Sequence, residues 1–234
     1  LFDQSADPVM VWEGPFTANN ARSAACAVTN TPPDLVVSNV AVSPTAFSGE
    51  EITVSWTVTN LGAGMVWAGT RQWVDYVYLS PDPTFIAGRA SLVASATHVQ
   101  IEPLGPLGSY TVTLNIRLPA GIEGRRYVYV FTDVDVDRYG VPHPESPMAP
   151  GQYPSWHETF SRRVWEGGGP KTNNVGSGGP VQVTYRESDL QIITLTAPAS
   201  AFSGGMANLE WLVQNTGTRA TRTDVWFDRV YISM

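Results

Sequence analysis

Residues 34–80 of this chain return, in the same order, as residues 189–233. The separation is 155 residues at first and becomes 153 after a shorter loop. Residues 11–29 return in the same way as residues 164–184. The identical positions include Ala46-Phe47-Ser48-Gly49 with Ala201-Phe202-Ser203-Gly204, Trp56 with Trp211, Asn60 with Asn215, Gly62 with Gly217, and Val11-Trp12-Glu13-Gly14 with Val164-Trp165-Glu166-Gly167. So many ordered matches predict tandem copies of one folding unit.

The repeat sets the predicted domain organisation. One complete unit extends from residue 33 to residue 187. Residues 1–32 are then the C-terminal end of a preceding unit, and residues 188–234 are the N-terminal part of a following unit. We therefore expect the chain to be part of a longer protein, with any export signal upstream of Leu1. Because the link between residues 187 and 189 is very short, consecutive units should be restrained rather than freely jointed.

Alternation of apolar and polar residues indicates that the unit is built from strands. Ile52, Val54, Trp56 and Val58 alternate with Thr53, Ser55, Thr57 and Thr59, which is typical of a half-buried strand. Further strands are predicted at residues 35–42, 74–80, 110–116, 127–132 and 181–185. Turns are predicted at Ser48-Gly49 and at Asn60-Leu61-Gly62. About seven strands and one buried Trp per unit predict an all-β, immunoglobulin-like β-sandwich, repeated in tandem.

The unit is longer than a sandwich requires. A domain of this class needs only ~100 residues, so we expect the surplus to form long loops. These loops are predicted at residues 81–106 and, as an insertion, at residues 133–163. The glycine-rich stretches at residues 167–169 and 176–179 are also interpreted as loops.

The composition of the chain argues against nucleic acid as a partner and against a membrane-spanning helix. The formal net charge is −7 and the isoelectric point is about 4.9, so the chain does not attract the phosphates of nucleic acid. No run of 18 apolar residues is present, which predicts no membrane-spanning helix in this segment. Cys26 is the only cysteine, so no intrachain disulfide can form.

Several segments of the unit carry a family resemblance. They are Pro33-Asp34-Leu35-Val36-Val37, the Ser48-Gly49 turn, Val54-Ser55-Trp56-Thr57-Val58-Thr59-Asn60 followed by Gly62, Asp75-Tyr76-Val77-Tyr78-Leu79-Ser80 with Asp82, Tyr127-Val128-Tyr129-Val130-Phe131-Thr132-Asp133, and Glu166 with Asn173-Asn174. Through these residues the unit resembles the CARDB domain, the cell adhesion related domain found in bacteria. The resemblance implies an immunoglobulin-like sandwich arrayed in large secreted or surface-anchored bacterial or archaeal proteins, with no general enzymatic activity. The insertion between Asp133 and Glu166 departs from the usual short unit.

An alternating acidic run raises the possibility of a metal site. Asp133, Asp135 and Asp137 place a carboxylate at every second position, with Glu145 further on, and a loop with that spacing can surround Ca²⁺. The EF-hand pattern fails, because Arg138 and Pro144 stand where that loop needs Gly and Glu. The simpler interpretation is a solvated loop that leaves a strand. Calcium is therefore a candidate cofactor, and no other cofactor is predicted.

Other polar residues are interpreted structurally. Asp75, repeated as Asp228, is expected to make a buried or edge hydrogen bond, and Asn173-Asn174, like Asn19-Asn20, to make a turn. His98, His143 and His157 lack any metal-ligand spacing. The sequence has no nucleophile elbow, no phosphate-binding loop and no evident histidine partner for its cysteine. We therefore predict that the chain is not an enzyme and has no catalytic residues.

Tryptophans in loops or at strand edges leave two interpretations open. Trp67, Trp73, Trp156 and Trp226 could bind a surface glycan or a protein, or they could close the ends of the sandwich. The leading functional hypothesis is a non-catalytic structural or adhesive repeat of a large extracellular or cell-surface prokaryotic protein. Its partners would be other copies of itself or neighbouring repeats, assembled as a filament, sheath or adhesin stalk. The alternative is an accessory or carbohydrate-binding module of a large secreted hydrolase.

Overall fold

The structure is a computed structural model that describes residues 21–27, 29–144, 161–168 and 171–233. The chain divides into two units, Leu1–Asn30 and Thr31–Met234. In the first unit, the described residues form no helix or strand. The predicted boundaries at residues 32/33 and 187/188 stay predictions.

The described part of the second unit contains twelve strands and one short 3-10 turn at Ala87–Arg89. The strands are β1 (Leu35–Val42), β2 (Thr45–Phe47), β3 (Glu51–Asn60), β4 (Gln72–Ser80), β5 (Ser91–Val99), β6 (Ser109–Arg117), β7 (Gly124–Thr132), β8 (Asp135–Val136), β9 (Pro142–His143), β10 (Val175–Thr184), β11 (Leu190–Thr196) and β12 (Glu210–Asn215). Strands β1 to β10 lie within the predicted complete unit.

Two sheets of the complete unit face each other. One has the antiparallel order β1-β3-β6, and the other has the order β2-β10-β7-β4-β5. In the larger sheet, the short strand β2 runs parallel to β10, while the other neighbours are antiparallel. This arrangement is an immunoglobulin-like sandwich, so the predicted all-β sandwich is confirmed, while its repetition in tandem stays a prediction.

The core lies between the two sheets and follows the alternation in the sequence. Strand β3 buries Ile52, Val54, Trp56 and Val58 and leaves their polar neighbours at the surface or half-buried. The opposite sheet contributes Val77, Leu79, Val128, Val130, Val181 and Val183 to the same cluster. Burial of these β-branched and aliphatic side chains is the main term that holds the sheets together.

The outer face of the larger sheet is also covered. Tyr78, Phe85, Tyr129 and Phe131 form a second cluster there, with ring centroids 4.8–5.6 Å apart in edge-to-face contacts. Strands β4 and β7 therefore bury both faces, which explains why they read as nearly continuous apolar and aromatic runs.

Two loop predictions were wrong. The stretch at residues 81–106 contains β5, an edge strand whose small and polar side chains are mostly exposed and gave no strong apolar pattern. The glycine stretch at residues 176–179 lies within β10. A Cβ on Gly176 would lie 2.7 Å from Val37 Cγ1, and one on Gly178 would lie 2.4 Å from the Val40 carbonyl oxygen, so glycine lets β10 pass close to β1.

The hairpin after the sandwich repeats its opening strands. Leu190 pairs with Asn215 in the second hairpin as Leu35 pairs with Asn60 in the first, and a bulge follows in both. The Asp189 amide donates to Asn215 Oδ1 over 3.0 Å, the distance found between the Asp34 amide and Asn60 Oδ1. The sequence repeat is therefore also a repeat of backbone pairing.

Candidate functional site

A buried carboxylate joins the two sheets of the sandwich. Asp75, on β4, is 0% exposed. Its Oδ2 accepts a 2.8 Å hydrogen bond from Trp56 Nε1, and its Oδ1 accepts bonds of 2.6 Å from Thr132 Oγ1 and 3.0 Å from Tyr110 Oη. Trp56 and Tyr110 belong to the three-stranded sheet, and Thr132 ends β7 of the opposite sheet. The predicted buried hydrogen bond of Asp75 is thus present, as a tie between the sheets.

Burial dominates the electrostatics of this tie. Removal from water raises the pKa of Asp75 from 3.8 to about 6, although its three donors favour the ionised form. Trp73 Nε1 donates to Tyr110 Oη over 2.8 Å and extends the network. Since the sequence has a single cysteine, no intrachain disulfide can join the two sheets, and this network links them through hydrogen bonds.

The segment that follows the sandwich has the same Trp–Asp hydrogen bond at its surface. Trp211 Nε1 donates to Asp228 Oδ2 over 2.9 Å, close to the 2.8 Å between Trp56 and Asp75. Here both side chains are exposed. The same Trp–Asp hydrogen bond is therefore present in both segments that match in sequence.

A second buried cluster contains the chain's single lysine. Lys171 Nζ contacts Asp133 Oδ2, lies 3.4 Å from Glu166 Oε1, and donates to the carbonyl oxygen of Val164 over 2.9 Å. The side chains of Lys171, Asp133 and Glu166 are 6%, 2% and 7% exposed. Asn174 Nδ2 donates to Glu166 Oε1 over 3.0 Å and completes the cluster.

Backbone geometry directs these groups inward. Asp133 follows β7 directly and has a φ of +51°, a left-handed conformation that Asp tolerates better than most residues. Burial raises the pKa of both Asp133 and Glu166, and the charge of Lys171 opposes that rise at each carboxyl. Sequence reasoning gave Glu166 no ion pair and did not consider Lys171, because no local pattern connects residue 133 to residue 171.

The three predicted calcium ligands lie in different environments. Asp133 contacts Lys171, and Asp135 pairs with Arg163. Asp137 Oδ1 accepts the Val141 and Tyr139 amides, and the bond from Val141 is the main reason that its pKa is lowered. Among the described residues no group of three His, Cys, Asp or Glu side chains could hold a metal ion. Glu145 lies outside the described residues, and the calcium hypothesis stays a prediction.

The histidines are not brought together in the part of the chain that the structure describes. His98 stacks on Tyr110 with ring centroids 3.8 Å apart, and burial lowers its pKa. His143 Nε2 lies 3.5 Å from Asp137 Oδ2, at the surface. His157, Glu13 and Asn19-Asn20 lie outside the described residues. Asn173-Asn174 lies in a turn, as predicted.

The tryptophan prediction needs one correction. Trp73 is 0% exposed and belongs to the core, because β4 begins at Gln72, two residues before the start of the predicted strand. Trp67 and Trp226 are 49% and 47% exposed. Trp156 lies outside the described residues. Exposed indole surface is therefore present at Trp67 and Trp226.

Ion pairs and hydrogen bonds connect the sandwich to the following hairpin. Arg222 Nη2 donates to the Ser48 carbonyl oxygen over 3.0 Å and to Glu187 Oε1 over 2.6 Å. Arg219 Nη1 donates to the same Ser48 oxygen over 3.3 Å. Arg186 pairs with Glu50 over 2.6 Å and lowers its pKa. These contacts, called the junction below, lie directly beside the short link at residues 187–189.

Comparison with known proteins gives fold-level neighbours. No protein-family model matches the sequence, and a search of curated proteins gives no match. Among solved structures, the chain is similar to the CARDB domain of a Pyrococcus furiosus protein in complex with di-metal ions, with 20% identity, 67% of this chain and 97% of that chain covered, and a TM-score of 0.38. The solution NMR structure of that domain is 18% identical to the chain, with 66% of this chain and 98% of that chain covered and a TM-score of 0.38.

A glycosidase also appears among these neighbours. It is β-glucosidase 3B from Thermotoga neapolitana in complex with α-D-glucose, with 22% identity, 42% of this chain covered and a TM-score of 0.31. The matched part is 14% of that enzyme's chain. CARDB structures are thus among those similar to the chain, as its residues predict, while the fold itself rests on the strand order described above. No helix in the described residues is long and apolar enough to cross a membrane.

Proposed function

We propose that this chain is a non-catalytic structural or adhesive repeat of a large extracellular or cell-surface prokaryotic protein. The observation that carries the proposal is the repeated Trp–Asp and Asn-centred hairpin, which gives consecutive copies the same construction. Stacked copies of one unit form an extended array. Contacts between repeats then build a filament, a sheath or the stalk of an adhesin.

The junction supports this proposal because it restrains the direction of the array. Arg222 reaches back from the following copy to the Ser48-Gly49 turn of the complete unit. The φ of +70° at Gly49 favours glycine, and a Cβ there would lie 2.5 Å from Arg222 Nη2 and displace the guanidinium group from its contact. A restrained link keeps neighbouring units in a fixed direction, as a stalk requires.

The buried carboxylates of Asp75, Asp133 and Glu166 have structural partners, which favours a non-catalytic role. Asp75 is enclosed by three donors inside the core, where no substrate can reach it. Lys171, Asp133 and Glu166 are buried against one another. A catalytic carboxylate or amine must reach a substrate from a cleft.

Electron microscopy of the native full-length protein tests this function. Regular filaments or sheaths, with an axial repeat set by units of this size, are the expected result. Separate beaded particles that carry one larger globular head would instead locate the activity in that head, with this chain in its stalk. Particles that show neither beads nor filaments would contradict the proposal.

The second candidate is an accessory or carbohydrate-binding module of a secreted hydrolase. Trp67 and Trp226 are half exposed, and a groove of about 630 Å³ opens beside Phe85 and Tyr129. Exposed aromatic rings offer apolar faces on which sugar rings can stack. A glycan array probed with the wild type, Trp67→Ala and Trp226→Ala decides this candidate. Binding that either substitution abolishes would favour it, and the absence of binding by the wild type would exclude it.

A further inference from the structure

Lys171 is the only lysine in the sequence, and it is buried, with 5% of its surface exposed. Lysine is almost never fully buried unless it is paired. Here it faces two carboxylates, those of Asp133 and Glu166, so the three groups carry an uncompensated negative charge when all are ionised. Such a charge inside a protein is strongly unfavourable. A reaction that converts the Lys171 ammonium and one carboxylate into a neutral amide removes two buried charges, and burial favours the protonated form of the carboxyl that remains.

We propose that Lys171 Nζ and Asp133 Cγ condense to an intramolecular amide, an isopeptide bond, with Glu166 as the proton carrier. The contact between Nζ and the Asp133 carboxyl carries the proposal. Groups held in this way react as if at an effective molarity of ~10⁵ M or more. The Val164 carbonyl and the Asp133 main-chain carbonyl accept from Nζ over 2.9 and 3.0 Å and fix the amine beside the carboxyl.

The step balances without any further reactant. Glu166 takes a proton from the Lys171 ammonium, and the freed lone pair of Nζ attacks Asp133 Cγ. The amide carbon–nitrogen bond forms, one carbon–oxygen bond of Asp133 breaks, and that oxygen leaves as water with protons from nitrogen, delivered through Glu166. The ammonium and the carboxylate together become one neutral amide and one water molecule.

The surroundings favour condensation over hydrolysis. All three side chains are nearly excluded from solvent, so little water is available to reverse the reaction. The Val164 amide donates to Asp133 Oδ2 over 2.9 Å and stabilises the negative charge that develops on that oxygen. Asn174 Nδ2 and the Leu35 amide hold the Glu166 carboxyl in place, over 3.0 and 3.3 Å.

The bond would lie where it can resist tension. Asp133 follows β7 and Lys171 precedes β10, and these two strands are paired from Phe131 and Val175 onward. A bond between them encloses residues 134–170, which contain the long insertion. Those 37 residues would then not extend under force, so the fully stretched protein would be shorter by on the order of 130 Å. At the position aligned with Lys171 the preceding copy has Thr17, so the bond is particular to this unit.

Intact-mass spectrometry of the denatured full chain tests the bond directly. The protein is produced without any tag that contains lysine, so that Lys171 stays the sole lysine. The wild type should weigh one water molecule less than its sequence, and Lys171→Arg and Glu166→Gln should have their full sequence masses. Because Lys171 is the sole lysine, a lysine-specific protease should leave the denatured wild type uncut and cleave Glu166→Gln once. Tandem mass spectrometry should find the peptides of residues 133 and 171 joined.

Three results would overturn the inference. A wild-type mass equal to the sequence mass, with cleavage at Lys171, would leave the cluster as a buried ion pair. Loss of water that persists in Lys171→Arg would place the reaction elsewhere. A crosslink that forms equally fast in Glu166→Gln would remove Glu166 from the mechanism. The first measurement uses the wild type alone, so it does not depend on whether any variant folds.

Discussion

Replacement of Asp75 by Asn should remove part of the pH dependence of the free energy of unfolding. The folded protein holds the pKa of Asp75 at about 6, while the ordinary value is 3.8. Below the ordinary value both states carry a protonated carboxyl. Between the two values the unfolded chain releases this proton and the folded protein keeps it, so the free energy of unfolding falls as the pH rises. Above about 6 the loss is complete.

The magnitude follows from the difference between the two pKa values. About two pKa units correspond to ~3 kcal/mol. Asp75→Asn has no such titration, so its stability relative to the wild type should increase by ~3 kcal/mol between about pH 4 and pH 7. Any constant cost of placing an amide opposite Trp56, Tyr110 and Thr132 cancels in this comparison, because it is present at every pH.

Urea denaturation of both proteins at several pH values measures the effect. The matched control is Asp228→Asn, which removes the same carboxyl from the exposed Trp211 pair and should give unfolding curves close to those of the wild type. A difference between wild type and Asp75→Asn that is independent of pH would refute the reasoning. A wild type that gains stability relative to the variant as the pH rises would also refute it.

Three further results are expected. Trp56→Phe leaves Asp75 without one donor and should cost about 1–3 kcal/mol of unfolding free energy. Trp211→Phe, at the surface, should cost about 0.5 kcal/mol or less. Thermal and urea unfolding measure both costs, and equal costs would contradict the role of burial. Arg222→Gln should loosen the junction with less than about 1 kcal/mol of stability lost, because its ion pair is partly exposed; small-angle scattering should show a broader range of interunit distances, and an unchanged profile would argue against the restraint. If the acidic run binds calcium, calorimetric titration of Ca²⁺ should give heat with the wild type and less with Asp135→Asn; a wild type that gives no heat would end that hypothesis.

The two loop errors show what the pattern of a sequence cannot convey. Strand β5 pairs with β4 as an edge strand, and pairing on one side does not require an apolar face. Gly176 and Gly178 stand in a strand because β1 approaches it closely, a fact about a segment more than 100 residues away in sequence. The glycines therefore predicted a loop, but they stand in a strand because a larger side chain there would clash with β1.

The sequence by itself determined the strand faces, the repeat and the recurrence of Asp75 as Asp228, whereas the tryptophan partner of each Asp came from the structure. Alternation records which side of a strand meets water, and an aligned second copy carries the same local pattern. Only the tertiary structure brought Asp133, Lys171 and Glu166 together and placed Arg222 against the Ser48-Gly49 turn. The contact of Asp133 with Lys171 and that of Ser48 with Arg222 join residues 38 and 174 positions apart. Their energies depend on burial and distance in space, which local sequence does not encode.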